Sequence, residues 1–429
     1  MEQKFDAIIV GAGPAGCACA YKLAKAGLSV LVVERGKFPG AKNMWGGAFF
    51  GPTLGELFPN FWAEAPVERY IARRKISLLS KEDCLTIDFS SHKFSQLPYE
   101  GFVLLRSKFD QWFANKVQEV GAIVASGLQA DDVIRQDGKI VGIKAGNDQM
   151  PADVVIACDG VNSLLAQKAG LRGELKPIEV KQGVKEVLQF PRKELEQRFN
   201  LTGDAGLSWE FVGACTGGLP GGGFIYTNKD SISIGLVVQL NALAEKQVRA
   251  NDLLEDFKKH PAIAGLLEGG KLVEYSGHLI PVSGIGMMPG LYTDGFLVAG
   301  DAAAFVVGTG LILEGANFAM ASGIAAAETV MKAKEKKDFS AGSLAYYQEL
   351  LEKSFILKDL KTFKKAPHFL ENQRIYTTYP EFVCNLFEKL YTTDGKPRKR
   401  VFPLLTESMK GRVSLVQIMS DLMKAKDAI

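Results

Sequence analysis

Paired cysteines are absent. The chain has six, Cys17, Cys19, Cys84, Cys158, Cys215 and Cys384, and no two stand in a CxxC spacing. Such scatter excludes an iron–sulfur or zinc cluster built from this chain's own thiols and suits a reducing, cytoplasmic compartment. Histidine is scarcer still: His92, His260, His278 and His368 are the four, none lies inside a motif, and no catalytic histidine is expected. Charge of either sign is nearly balanced, and a formal net charge of +3 over 429 residues gives no basis for a nucleic-acid partner. Glycines and charges break every long apolar run, so no transmembrane helix is expected. Lys4 and Asp6 flank a short strand that leads straight into a glycine loop, which speaks against a secretory leader.

What is present is an ordinary globular balance, 47% hydrophobic and 23% charged, in a chain long enough for two or three lobes. Its 45 glycines gather in a few loops, the pattern expected where backbone approaches a ligand closely. KFDAIIV (4–10) reads as a strand, GAGPAG as a turn, CACAYKLAKAG as a helix and LSVLVVE as a second strand. Gly11, Gly13 and Gly16 form GxGxxG in that setting. The first allows the tight turn, the second admits a pyrophosphate, and the third lets helix and strand pack closely. Glu34 ends the second strand, where a carboxylate binds ribose hydroxyls. The motif predicts a dinucleotide site without separating NAD from FAD.

Further on, SKFDQWFANKVQEVGA (107–122) predicts a helix opened by Ser107, and Asp137-Gly138 predicts a hairpin turn. SISIGLVVQL reads as a strand and NDLLEDFKKH as a helix, and the pattern turns helical from Ser322 to about Lys365. The last sixty-odd residues are aromatic, basic and poorly periodic, with PRKR at 397–400. The stretch LVAGDAAAFVVGTGLILEGANFAMASG (297–323) has the composition of a membrane span, yet Asp301, Glu314 and Asn317 interrupt it. It reads as a strand, a glycine-rich turn and a helix packed on a ligand.

Three segments favour FAD. LLRSKFDQWF, ACDGVNS (157–163) and DGFLVAGDAA resemble, in order, the arginine, Asp-Gly and second-fingerprint segments of glutathione-reductase-type flavoproteins of the para-hydroxybenzoate hydroxylase branch. In that resemblance Arg106 lies near the dinucleotide and Asp301 binds the ribitol chain. Plainer readings remain for the first two, a helix-start charge and a strand-ending turn. ERG…PGAKNMWGG, GGLPGGGFIYTNKDSISIGLVVQLN (217–241) and GTGLILEGANFAMASG closely resemble the electron-transfer-flavoprotein:quinone oxidoreductase family, in particular its FixC-type members. A geranylgeranyl-reductase-type prenyl reductase and an aromatic monooxygenase are the alternatives within the superfamily. A scaffold that keeps the fold without flavin is the alternative outside it.

The resemblance implies an α/β fold: a Rossmann-like FAD-binding domain, an inserted mixed-sheet substrate domain and a helical C-terminal region. The expected boundaries are 1–60, 100–168 and 275–335 for FAD, 61–99 and 169–274 for quinone, and 336–429 for a basic, partner-docking region. It implies FAD contacts at Gly11, Gly13, Pro14, Ala15, Gly16, Glu34, Arg35, Lys42, Asn43, Gly46, Arg106, Ala130, Asp159, Gly160, Gly300, Asp301, Gly308, Gly310 and Leu311, and quinone contacts at Gly222 and Gly223. The implied activity is FAD-dependent electron transfer from reduced electron transfer flavoprotein, alpha and beta subunits, to a membrane quinone, within or outside an electron-bifurcating complex. With Cys384 the only cysteine after Cys215, the [4Fe–4S] clusters fall to a separate small ferredoxin-like subunit. Peripheral attachment to the inner face of the cell membrane follows from the substrate. Phe49-Phe50 and Leu57-Phe58-Pro59 are candidate contact loops, or core. The basic C-terminal region suits the ferredoxin-like subunit, lipid headgroups, or plain solvent. Glu314 and Asn317 stay open between flavin, quinone and the adjoining helix.

Overall fold

The structure, a computed structural model, describes residues 4–42 and 46–429. Its first layer is an eight-stranded sheet whose parallel centre runs Phe296–Val298, Asp148–Ala157, Phe5–Val10, Val30–Glu34 and Ile123–Ser126. These strands read as near-continuous apolar runs because helices cover both faces. Ile8, Ile9, Val32, Val155 and Ile156 are essentially inaccessible. The helix Pro14–Lys25 starts with proline in its first turn and carries Lys22 and Lys25 in its last, as backbone geometry and the helix dipole favour.

Against that helix lies Ala316–Lys336, and the contact explains the lipid-like composition of 297–323. A Cβ on Gly323 would stand 2.1 Å from the Ala15 carbonyl oxygen, so two helix backbones pass with no room for a side chain. Small residues there serve a helix crossing, not a bilayer.

The second layer is a nine-stranded mixed sheet, ordered Lys271–Pro281, Val180–Gln189, Ser231–Gln239, Gly221–Thr227, Ala205–Gly213, Val67–Leu79, Gly101–Leu105 and Gly46–Phe50, with Cys84–Ser90 beside Val67–Leu79. Alternation divides its faces. Leu207, Trp209 and Phe211 turn into a core shared with Leu254 and Phe257 of the helix Ala250–Lys259. Glu210 and Val212 face a cavity instead. Strands 46–50 and 101–105, and the greater part of 271–281, fall in segments the sequence assigns to the FAD domain, yet they hydrogen-bond into this sheet.

Other differences are local. The helix over 107–122 spans Arg106–Glu119 with Leu105 at its N-cap and no side-chain cap, so Ser107 opens nothing. The long helix begins at Ala316, ahead of Ser322, after a 3-10 turn at Gly300–Ala303 and the short hairpin Val307–Gly308/Leu313–Glu314. The poorly periodic end of the chain is helical, with a short helix Ala366–Phe369 and a 3-10 turn Gln373–Ile375 ahead of Thr378–Tyr391, Val401–Met409 and Leu415–Ala428. Phe49 and Phe58 are buried core and Phe50 is half-buried, so these rings make no surface loop. Among the described residues no helix is long and apolar enough to cross a membrane, and no group of three or more His, Cys, Asp or Glu could hold a metal.

Candidate functional site

At the carboxyl ends of the parallel strands lies a cleft lined by the glycine turn, Glu34, Arg35, Arg106, Asp159 and Asp301. Gly11 has φ +106° and a Cβ there would meet the Cys158 carbonyl oxygen at 2.2 Å. Gly16 is barred from a side chain in the same way, 1.9 Å from the Gly11 carbonyl oxygen. The turn is therefore as bare as backbone allows, at the amino end of a helix that favours an anion.

Glu34 closes its strand with both carboxylate oxygens held: one accepts from Ala12 N–H at 3.0 Å, the other from Gly36 N–H at 2.6 Å. Arg106 donates from Nε and Nη2 to the two oxygens of Asp110, each at 2.6 Å, which fixes a guanidinium on the cleft wall. Burial pushes the Asp301 carboxyl above the usual carboxylate range, and the Arg106 charge opposes that shift. Burial also pushes His278 down to about 4, helped by Arg106 and Arg35, so its imidazole is neutral at physiological pH. Asp159 accepts from Leu165 N–H through Oδ2 at 2.9 Å, while its buried Oδ1 has no hydrogen-bond partner in the protein. An orphaned acceptor, a glycine cradle and an anchored guanidinium on one wall fit a dinucleotide with flavin.

Of the residues expected at FAD, the cleft gathers Gly11, Gly13, Pro14, Ala15, Glu34, Arg35, Lys42, Arg106, Ala130, Asp159, Gly160 and Asp301. Gly16 and Gly300 are buried behind it; a Cβ on Gly300 would press on Ala15 Cβ at 2.9 Å. Gly46 begins the strand opposite Leu105, and Asn43 lies outside the described residues. Gly308, Gly310 and Leu311 line a different cavity. Glu314 and Asn317 resolve as cleft residues, with Asn317 Nδ2 donating to Glu314 Oε2 at 2.6 Å. Sequence reasoning missed His278 and Ile280, which reach the cleft from the strand Lys271–Pro281, and Gln129; no motif marks them.

The second cavity, about 540 Å³, shares Leu313 with the flavin cleft. Ile76, Leu78, Phe224, Val237, Leu370 and Phe382 make it mostly apolar, and Gly222 and Gly223 lie on its wall. A Cβ on Gly223 would meet the Phe257 ring at 3.0 Å and one on Gly222 the Phe211 carbonyl oxygen at 3.0 Å, so a side chain at either position would be tight and glycine presents bare backbone there. Lys181, Glu210, Tyr226 and Gln239 are polar exceptions along the sheet. The hairpin tip Thr309–Ile312 and the helix Leu415–Ala428 close the other sides.

A Rossmann-type sheet, a bare glycine turn and a carboxylate at the end of the second strand define a dinucleotide-binding fold, and the match to known families makes this chain a FAD-dependent oxidoreductase. The family model described as FAD dependent oxidoreductase matches residues 6–80. Two other models match, ETF-QO, ubiquinone-binding over residues 181–280 and the ETF-QO/FixC family C-terminal domain over residues 366–429. A probable electron transfer flavoprotein-quinone oxidoreductase, YdiS of Escherichia coli K12, is 42% identical over 428 residues, covering 100% of both chains. Protein FixC of the same strain is 42% identical over 423 residues, 99% of this chain and 98% of FixC. The chain belongs to the ETF-QO/FixC family.

Solved structures extend the likeness of fold alone. A geranylgeranyl bacteriochlorophyll reductase-like protein from Thermoplasma acidophilum superposes with a TM-score of 0.74 at 19% identity, covering 99% of this chain and 100% of that one. The flavin-dependent brominase Bmp2 gives 0.65 at 18%, covering 99% and 98%.

Proposed function

We propose that this chain takes electrons from a reduced electron transfer flavoprotein onto its FAD and delivers them to a quinone in the second cavity. The carrying observation is that cavity: apolar, floored by glycine backbone, sharing Leu313 with the flavin cleft, and walled by sheet strands of the segment that matches the ubiquinone-binding model together with helices of the segment that matches the ETF-QO/FixC C-terminal model. FAD supplies the redox chemistry. The residues position it. Glu34 and the glycine turn hold the adenosine and pyrophosphate, Asp301 the ribitol, and the Arg106 guanidinium adds positive charge near the dinucleotide. The apolar wall of the second cavity excludes water from a hydrophobic ring.

The same reading assigns the iron–sulfur clusters to a separate ferredoxin-like subunit and allows the chain to serve in a bifurcating complex. It places the protein at the inner face of the cell membrane, where quinone is drawn from lipid. Exposed apolar side chains at the cavity rim support that placement: Leu311 and Ile312 on the hairpin and Leu422 on the last helix. Exposed Lys410, Arg412, Lys424 and Lys426 stand just before and along the last helix, basic groups suited to anionic headgroups.

The test mixes the FAD-loaded protein with reduced electron transfer flavoprotein and then a short-chain quinone. Bleaching of the flavin by the first and its return by the second are expected, with no direct reduction by NADPH. Rapid bleaching by NADPH with no response to the flavoprotein would overturn the reading in favour of a reductase or monooxygenase.

A further inference from the structure

Quinone reduction consumes two protons as well as two electrons, and the cavity that would hold the quinone is otherwise greasy. One titratable group stands out by position. Glu210, on the strand Ala205–Gly213, lies opposite Phe224 on Gly221–Thr227, so its side chain shares the cavity face with Phe224 one residue from Gly223. Ser208, two residues back on the same face, donates its hydroxyl to Glu210 Oε1. On the neighbouring strand Arg74 lies level with Ser208. Its guanidinium stands over the Phe50 ring at 5.3 Å, and Phe50 lines the flavin cleft. The Arg74 charge acts on Glu210 and Tyr226 on one side and on Glu314 of the flavin cleft on the other. A polar cluster thus sits in the partition between the two cavities.

We propose that Glu210 is the carboxylic acid that donates a proton to a carbonyl oxygen of the quinone in the second cavity. This rests on the quinone reading above. In the step the Glu210 O–H bond breaks and an O–H bond forms on the quinone oxygen, whose C=O becomes C–O. The two electrons come from the reduced flavin, which is oxidised, and the second proton comes from water. The carboxylate left behind is held by the Ser208 hydroxyl and the Arg74 charge, and water reprotonates it before the next turnover.

The other titratable groups facing the cavity suit the role less. Burial leaves Tyr226 and Tyr376 far weaker acids than usual and pushes Tyr379 up to about 12. Arg374 holds Asp421 well below the usual carboxylate range. Lys181, brought down to about 8 by burial, is on Val180–Gln189, two strands from the glycine pair in the sheet order, and Glu371 comes from the C-terminal region. Burial raises Glu210 to about 7, where an acid is protonated often enough and gives its proton readily enough at physiological pH.

The experiment pre-reduces the flavin of the FAD-loaded protein without oxygen and follows its reoxidation in a stopped flow. The acceptors are a short-chain quinone, which needs protons, and ferricenium, which does not. In the unsubstituted protein the quinone rate should fall as pH rises through about 7, while the ferricenium rate stays flat. Glu210→Gln should lower the quinone rate on the order of 100-fold and erase the pH step, with ferricenium unchanged. It should also remove a protonated-carboxyl band from the infrared difference spectrum. Ser208→Ala keeps the acid but removes a donor to its charged form, so the pH step should move upward. An unchanged quinone rate and profile in Glu210→Gln overturns the proposal alone, as does an equal loss with both acceptors, or a pH step removed by Lys181→Met instead. No reaction of the unsubstituted protein with quinone, beside a normal one with ferricenium, overturns the quinone reading and this proposal with it.

Discussion

At Gly11 a single methyl group has no room in the glycine turn. The residue combines φ +106° with a Cβ position 2.2 Å from a backbone oxygen, so neither rotation nor a flexible neighbour can relieve the clash. Gly11→Ala should cost at least about 2 kcal/mol through strain in the left-handed region and yield protein without flavin. Gly173→Ala, at a position open to solvent with ordinary backbone, should be silent. Flavin absorbance per chain after gel filtration reads both. Asp301 tests chemistry at the same scale. Its carboxyl lines the cleft beside the Arg106 charge, and Asp301→Ala should lose FAD while the fold, followed by circular dichroism, persists; flavin retained at full occupancy and unchanged affinity would show that the ribitol role is misassigned. Gly11 was legible because the spacing of the turn is itself the chemistry, a turn needing its glycines wherever it occurs, whereas Asp301 was marked only by resemblance to a flavoprotein fingerprint. His278 was not legible, since its strand enters the site through long-range pairing with Val180–Gln189.

Among elements, the helix Leu415–Ala428 hid its role most effectively. Apolar residues occupy two of its faces: Ile418, Leu422 and Ala425 look into the second cavity, while Leu415, Val416, Met419 and Met423 are exposed. Two apolar faces blur the single stripe by which a helix is recognised, so this end of the chain reads as aperiodic. One buried carboxylate docks it. Asp421 accepts from Arg374 Nε and Nη2, each at 2.7 Å, and from Tyr379 Oη at 2.5 Å. The Arg374 bonds hold the Asp421 carboxyl well below its ordinary value. A carboxyl depressed in the folded state stabilises it above the unfolded pKa, about 3.9, and that stabilisation is lost as pH falls through the folded value. Amides of 415–428 should therefore exchange faster below about pH 4. Asp421→Asn should bring the faster exchange to neutral pH, at a cost of about 1 kcal/mol for a pair whose arginine is a third exposed. Exchange that stays uniform across the chain in the variant would show that other contacts dock the helix.

The whole molecule is organised by pairings that skip along the chain. Ala205–Gly213 runs parallel to Val67–Leu79, and Gly46–Phe50 joins the same sheet while Ala48, Phe49 and Phe50 line the flavin cleft. Composition and periodicity name such strands but not their neighbours, which is why the domain boundaries read from sequence leave the sheet's edge strands on the other side. One consequence of that assembly is a surface. The hairpin tip and the last helix meet at the rim of the second cavity, where Leu311 is 61% and Leu422 57% exposed, and the outer face of that helix carries the exposed Val416, Met419 and Met423. Contiguous apolar side chains beside lysines and arginines are the mark of a helix lying in a bilayer interface, where each basic residue near an anionic surface adds about 1 kcal/mol. A quinone-reducing protein opening its cavity there would draw substrate from lipid without a membrane-crossing helix. The protein should then sediment with anionic liposomes, be released in large part by high salt from the charged contribution, and remain partly bound through the apolar one. Replacing Val416, Met419 and Met423 with serine should abolish the salt-resistant fraction and leave the flavin spectrum and soluble-quinone reduction unchanged. Equal sedimentation of the triple variant would move the membrane contact elsewhere on the surface.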